Sequence, residues 1–338
     1  MISLPQIRGA ILEEIVLRLL ENAGYRILNE SDGEEIRNGR NGLELQGRGE
    51  WHQVDALVTH DFTPSFIYPI RLIVEAKAYK RPVGITVTRN AVGVLKDVNE
   101  NYFSYSTIPG VKLRRFNYAY AIFSLNGFTR NAQRYAIAHQ IFLIQYYFNP
   151  LFKEIRRLLF QIDWETLRRG LEITELRSAL RDYFRGRISE EDLGRLFVGY
   201  GISLINRIKI ELNKIKGSYF GLLNGEYPIH LVSKKPLTGI KEDEIYVRVY
   251  IAEAKYVYLK FDDNTLYFEL PDGIAEVFSK VWEDKMKVAI TKMEYINYIA
   301  LTGEIDGIRR SLILRLDRDW LNDYINRLKF ENKIIHFR

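Results

Sequence analysis

Apolar positions along this chain change their period twice, dividing it into an α/β stretch, a helical stretch and a β-rich stretch. In residues 5–23, Leu12, Ile15, Val16, Leu19, Leu20 and Ala23 recur at helical spacing, with Pro5 in the first turn and Gly24 as the stop. Glu14 and Arg18 fall four apart as an exposed pair. Glu13 lies beside Val16 and Leu20 at the edge of the apolar stripe, as a boundary salt bridge or a further acid of a site. Residues 25–28 read as a short strand, 29–42 as a polar loop, and 43–45 as a strand leading into the Gly47-Arg48-Gly49 turn. Strands are expected at 52–59 and 69–77, followed by a helix at 85–98. The run 118–123 is wholly apolar, as in a strand covered on both faces. Asn126-Gly127 then turns the chain, Thr129 caps a helix through His139, and 141–144 is another buried strand. Strand, helix and strand in this order form a βαβ unit with a parallel pair.

Asn149-Pro150 marks a boundary. Residues 151–187 read as helical and rich in arginine, including Arg156, Arg168, Arg177, Arg181 and Arg185, with acids interleaved. That composition suits a solvated helix face or contact with a DNA backbone. A second amphipathic helix is expected at 202–215. From Tyr219 the period becomes two, with strands near 219–223, 228–233, 245–252, 256–261, 265–269, 287–290, 295–302 and 310–316, then a last helix at 318–329. Tyrosines crowd these strands (Tyr246, Tyr250, Tyr256, Tyr258, Tyr267), as a half-buried sheet or as platforms for bases. The division is an α/β domain at 1–148, a helical connector at 149–216 and a β-rich domain at 217–338.

Composition changes this picture little. The chain has no cysteine, which removes disulfides, thiolate zinc sites and cysteine nucleophiles. Its net charge of +6 is spread along the length, so a polyanion-binding surface must come from local clustering. No apolar run is long enough to span a membrane and no signal-peptide pattern opens the chain, so a cytoplasmic location is expected. The histidines have no metal-ligand spacing, although His52 flanks the stretch around Asp55.

The chemistry concentrates in Asp55 and Glu75-Ala76-Lys77. Side chains two apart on a strand share a face, so Glu75 and Lys77 point together and Ala76 points away. Asp55 lies in the apolar run Val54-Asp55-Ala56-Leu57-Val58, where a carboxylate needs a partner. If that strand pairs beside the Glu75 strand, two carboxylates and an ammonium meet. Two close carboxylates can bind a hard divalent cation. The tripeptide also occurs at Glu253-Ala254-Lys255, where the preceding acids Glu242, Asp243 and Glu244 sit in a polar turn.

These residues give the N-terminal stretch a resemblance to the Mrr-like branch of the PD-(D/E)xK nucleases, the restriction-endonuclease superfamily. The resemblance runs through Leu12-Glu13, Ala23-Gly24-Tyr25, Val54-Asp55, Glu75-Ala76-Lys77, Phe128-Thr129, Ala132, Ala136 and the strand at 141–144. Val54 stands where the name-giving proline would be, and residues 150–338 have no part in the likeness. The resemblance implies a restriction-endonuclease-like domain, a mixed central sheet flanked by helices, followed by an α+β region. It implies a Mg2+- or Mn2+-dependent DNA endonuclease of restriction or defence type, with self-association as a homodimer. Asp55, Glu75 and the Ala76 carbonyl would hold the metal, Lys77 would position the attacking water, and Glu13 would support the site. Lys80, Arg81, Arg89 and Arg130 are candidate DNA phosphate contacts. A catalytically silent DNA-binding or assembly protein, and a junction-resolving or repair nuclease, are the alternatives.

Overall fold

The computed structural model describes residues 3–40, 42–60, 66–101 and 116–335. It comprises two units, Met1–Tyr147 with Phe152–Asn213, and Phe148–Leu151 with Lys214–Arg338. The helical stretch read as a connector therefore groups with the first unit.

In chain order the first unit contains α1 (Leu4–Asn22), β1 (Tyr25–Ile27), β2 (Ile36–Gly39), β3 (Gly42–Gln46), β4 (Trp51–Gln53), β5 (Ala56–His60) and β6 (Ile70–Lys77). There follow α2 (Ile85–Asn99), β7 (Asn117–Ser124), α3 (Arg130–Ala138), β8 (Ile141–Gln145), α4 (Lys153–Gln161), α5 (Ile173–Phe184), α6 (Glu190–Gly194) and α7 (Gly201–Leu212). Ser3 and Gln6 form a capping box at the start of α1, and Thr129 accepts the Ala132 N–H to cap α3. The main sheet has the order β1-β5-β6-β7-β8. Its first three strands pair antiparallel and its last three parallel, so β6 is the strand at which direction changes. Helix α3 links the parallel pair β7 and β8, as the βαβ pattern requires.

Leu57, Ile73, Tyr120 and Ile122 from the sheet pack with Ala91, Val92, Ala132 and Ala136 from α2 and α3. Helix α1 lies against β1 and β6, and α5 lies against α1.

Four expectations for this unit need correction. Asp55 is not inside a strand: the stretch 52–59 breaks into β4 and β5, and Asp55 occupies the bend between them. The polar loop at 29–42 contains β2, which pairs with β3 although its residues show no apolar alternation. The Arg37 guanidinium supports that hairpin, bonding Glu44 at 2.8 Å and covering the Trp51 ring at 4.0 Å. The stretch 151–187 is not one helix but α4 and α5, separated by an irregular stretch in which Gly170 has φ 78°. Glu14 is not exposed beside Arg18; it is fully buried and held by Arg181 of α5 and by Arg185 at the C-cap of that helix, Arg181 at 2.7 Å. Arg185 also reaches Glu21 at 2.7 Å. An arginine-rich helix that looked solvated thus docks through acids on α1.

The second unit contains β9 (Gly217–Leu223), β10 (Tyr227–Ser233), β11 (Glu244–Ala252), β12 (Tyr256–Phe261), β13 (Asn264–Glu269), α8 (Asp272–Val281), α9 (Lys285–Tyr295), β14 (Tyr298–Ile305), β15 (Ile308–Leu316) and α10 (Arg318–Ile335). Its strands close into a barrel of order β10-β13-β12-β11-β15-β14-β9. Every pair is antiparallel except β11 with β15. Parallel neighbours need a long connection, and the chain between β11 and β15 includes α8 and α9. Val247, Val249, Val257, Leu259, Leu266, Phe268, Leu312 and Leu314 alternate inward and fill the core. The strand expected at 287–290 is instead part of α9, started by Asp284, which accepts the Met286 and Lys287 N–H groups. Among the described residues no helix is long and apolar enough to cross a membrane.

Candidate active site

The C-terminal end of β6 collects the predicted site residues. Glu75 and Lys77 share one face of the strand, and Lys77 Nζ lies 2.7 Å from Glu75 Oε1. The bend between β4 and β5 brings Asp55 alongside, where Asp55 Oδ2 accepts the Ala76 backbone N–H at 2.9 Å. The same oxygen lies 3.7 Å from Lys77 Nζ. Asp55 therefore does what its position in an apolar run demands: it caps a main-chain donor that the antiparallel ladder no longer uses. The Tyr120 hydroxyl donates to Glu75 Oε2 at 2.9 Å and fixes the other end of that carboxylate.

Two charged groups complete the cluster. Glu13, on α1, is 1% exposed and faces Arg177 NH2 of α5 at 2.8 Å. Arg177 NH2 is also 3.6 Å from Asp55 Oδ1. Sequence reasoning leaves Arg177 with its arginine neighbours, on a solvated helix face or against a DNA backbone, and nothing local distinguishes it from them. The available signal was Glu13, an inward acid with no basic partner on its own helix. Among the described residues neither oxygen of Glu13 nor the Arg177 Nε has a hydrogen bond, so this contact is a charge pair without bond geometry.

Burial sets the protonation of the cluster. Burial alone would lower the Lys77 pKa, but Asp55 and Glu75 outweigh it and hold the ammonium above its ordinary value. Glu13 is pushed up chiefly by burial and next by the Asp55 charge, with Arg177 opposing. Tyr120 is pushed up by burial and by Glu75, so its hydroxyl stays a donor.

A cleft of about 670 Å³ opens at Asp55, Lys77 and Arg177, lined also by Gln6, Gly9, Gln53, Ala76 and Tyr79, whereas Glu75, Glu13 and Tyr120 do not line it. Gly9 marks the approach of α1 to the strand. A Cβ at that position would stand 3.7 Å from the Ala76 carbonyl oxygen, so α1 runs close to the strand there. The remaining candidates are elsewhere. Lys80, Arg81, Arg89 and Arg130 are exposed and do not line the cleft, and Arg89 lies over the Tyr135 ring at 5.8 Å. His52 bonds Asp97 at 2.7 Å beside the Gly47-Arg48-Gly49 turn, whose Gly49 N–H also reaches Asp97.

Among the described residues no three histidine, aspartate or glutamate side chains are disposed as a metal-binding group. The hard oxygen donors brought together are the carboxylates of Asp55 and Glu75, both facing Lys77 Nζ. Asp55 Oδ1 lies 3.6 Å from Arg177, and the oxygens nearest Lys77 already share an ammonium. Two half-buried carboxylates around one cationic position fit a divalent ion in donor chemistry and charge, in competition with Lys77.

No family model matches the chain, and no curated protein does. A solved structure titled "Crystal Structure of Protein of Unknown Function AF1548" is similar over 61% of this chain and 96% of its own, at 18% identity and a TM-score of 0.34.

Proposed function

We propose that the first unit is a metal-dependent DNA endonuclease of the restriction-endonuclease-like kind, hydrolysing phosphodiester bonds in the cleft at the end of β6. The observation that carries this reading is the convergence of Asp55, Glu75 and Lys77, with Lys77 Nζ 2.7 Å from one carboxylate and 3.7 Å from the other. The mixed sheet β1-β5-β6-β7-β8, with Asp55 before one strand and Glu75 on the next, supports it.

Asp55, Glu75 and the Ala76 carbonyl would hold Mg2+ or Mn2+. Such an ion, when bound, lowers the pKa of a coordinated water and neutralises charge on phosphate oxygens. The residues of the chain supply the rest. Lys77, kept protonated by its two carboxylates, orients the attacking water and donates to the phosphate as negative charge builds. Arg177 faces the cleft from α5 and is the second fixed cation for non-bridging oxygens. Glu13 holds that guanidinium in place, and Tyr120 keeps Glu75 from rotating. Cutting both strands of a duplex takes two such sites, so self-association accompanies the reading.

The test is cleavage of supercoiled plasmid in Mg2+ or Mn2+ by the wild type, Lys77→Ala and Glu75→Gln, with equal melting temperatures as the folding control. Nicking or linearisation by the wild type, lost in both variants and in EDTA, is the expected result. Cleavage that persists in both variants overturns the assignment of the site.

A further inference from the structure

The outer face of the barrel carries a second arrangement that the nuclease reading does not use. On β11, β12 and β13 the residues Tyr250, Tyr258 and Tyr267 stand opposite one another in the strand register. They form a row across three strands. The Tyr250 and Tyr258 rings stack at 5.0 Å with 4° between planes, and Tyr258 meets Tyr267 at 6.4 Å. Trp320 of α10 extends the row at 5.3 Å from Tyr250. All four rings are half-buried, and the alternating Val249, Val257, Leu259, Leu266 and Phe268 point the other way into the core.

The neighbouring row is cationic. Arg248 and Lys260 are directly opposed across β11 and β12, and both are exposed. Like charges in that position destabilise a sheet. Neither has an acidic partner among the described residues; the Lys260 ammonium instead lies 5.6 and 5.7 Å from the Tyr250 and Tyr258 rings. Asp262 and Asp263, the acids nearest Lys260 in sequence, sit in the turn between β12 and β13, and Glu244, the nearest to Arg248, is bonded by Arg315. Further along β11, Tyr246 is 63% exposed. On the opposite side of the tyrosine row the face is covered, because Glu269 accepts the N–H groups of Phe148 and Asn149. An aromatic row bordered on its open side by two opposed cations is complementary to one ligand chemistry: unpaired bases on a phosphate backbone.

We propose that the outer face of β11, β12 and β13 binds single-stranded nucleic acid, bases against Tyr250, Tyr258 and Tyr267 and phosphates on Arg248 and Lys260. The choice of DNA over RNA rests on the function proposed for the first unit; the site itself does not. A duplex keeps its bases stacked inside and offers this face only phosphates, so the single strand is the better ligand.

The experiment measures binding of fluorescein-labelled dT30 to the full chain in EDTA, by anisotropy over a range of salt, with intrinsic tyrosine and tryptophan emission followed in parallel. Arg248→Gln/Lys260→Gln is expected to weaken binding about tenfold and to flatten the log–log salt slope by about 1.4, two phosphate contacts on a single strand. Tyr258→Leu is expected to weaken binding about tenfold and to remove quenching on binding, while Tyr258→Phe, which keeps the ring, retains both. Wild-type affinity and slope in the double variant overturn the site, as does equal loss in the Phe and Leu variants of Tyr258. A duplex of the same length that competes as well as dT30 overturns the single-strand assignment, and tighter binding of U30 overturns the choice of DNA. EDTA removes cleavage from the measurement, so a silent first unit leaves the result intact. Plasmid cleavage with no sensitivity of dT30 binding to these substitutions overturns this proposal alone.

Discussion

The same tripeptide, Glu-Ala-Lys, occurs once in each unit, and the two copies have opposite fates. Glu75-Ala76-Lys77 ends β6, a strand paired on both sides, and its charged side chains share a face beside Asp55. Glu253-Ala254-Lys255 joins β11 to β12, with Glu253 and Ala254 at φ 53° and 52°. Positive φ at two successive central residues is the type I′ hairpin geometry, so this copy reverses the chain and aims nothing at a common point. Lys255 lies over the Phe148 ring at 5.1 Å, with no carboxylate partner among the described residues. Residue types are identical in the two places. What differs is whether the backbone is extended and whether a second segment delivers a carboxylate to it.

That contrast can be broken most directly in activity. Lys77→Ala and Glu75→Gln should lower plasmid cleavage by about a hundred- to a thousandfold, the usual scale for a group acting at a developing charge. Glu253→Gln and Lys255→Ala should leave the rate within about twofold. Equal losses at the two tripeptides would put the chemistry somewhere else.

Next in size is the docking of α5 on α1. Arg181→Ala/Arg185→Ala leaves Glu14, fully buried, without its cations. Loss of the partners of a buried charge costs about 3–5 kcal/mol, which urea unfolding of the variant should report. In the second unit the corresponding buried ionisable group is His230, close to Ser218 Oγ at 2.8 Å and stacked on Phe220 at 4.2 Å. Burial pushes its pKa down from 6.5 to about 3. The unfolded chain then binds a proton that the folded unit refuses, so stability is complete above about pH 6.5 and falls as pH drops toward 3. The loss should reach about 3 kcal/mol by pH 4. His230→Asn should flatten that limb of the pH–stability curve; an unchanged limb would assign the loss to other groups. The smallest effect belongs to the turn. Glu253→Asn/Ala254→Gly suits the left-handed backbone and should add about 1 kcal/mol of stability, whereas Ala76→Gly within the strand should subtract a similar amount.

How much of this was legible in the sequence depended on whether a signal was local. The helix at α1, the Thr129 cap, the strands β7 and β8 and most barrel strands follow from periodicity and capping, and they are observed, although β8 lies at the sheet edge with Phe142 and Leu143 only half-buried rather than covered on both faces. Glu75 and Lys77 were placed on one face by the strand period alone. The bend at Asp55 was not legible, because Val54-Asp55-Ala56-Leu57-Val58 has the composition of an unbroken strand. Only the pairing of Asp55 with the Ala76 N–H shows why the chain departs there. Helix α9 was misread around 287–290, since Val288, Ala289 and Ile290 form an apolar run too short to reveal its period. β2 was missed for the opposite reason: an edge strand with little apolar content is held by charge and ring contacts across the hairpin. Arg177 belongs to a third class. Its meaning depends on the packing of α5 against α1, more than a hundred residues away in sequence.

The spacing of Arg177 and Arg181 has a thermodynamic consequence. Four residues apart on α5, they grip Glu13 and Glu14, consecutive buried residues of α1, and only Arg177 of the two also lines the cleft. Whatever charge settles beside Asp55 changes what Glu13 and Arg177 gain from each other, and so changes the free energy of local opening of α5. Linkage makes this reciprocal. Amide-exchange protection along α5 should therefore register occupancy of the cleft, and the helix acts as a reporter of a site to which it contributes a single side chain.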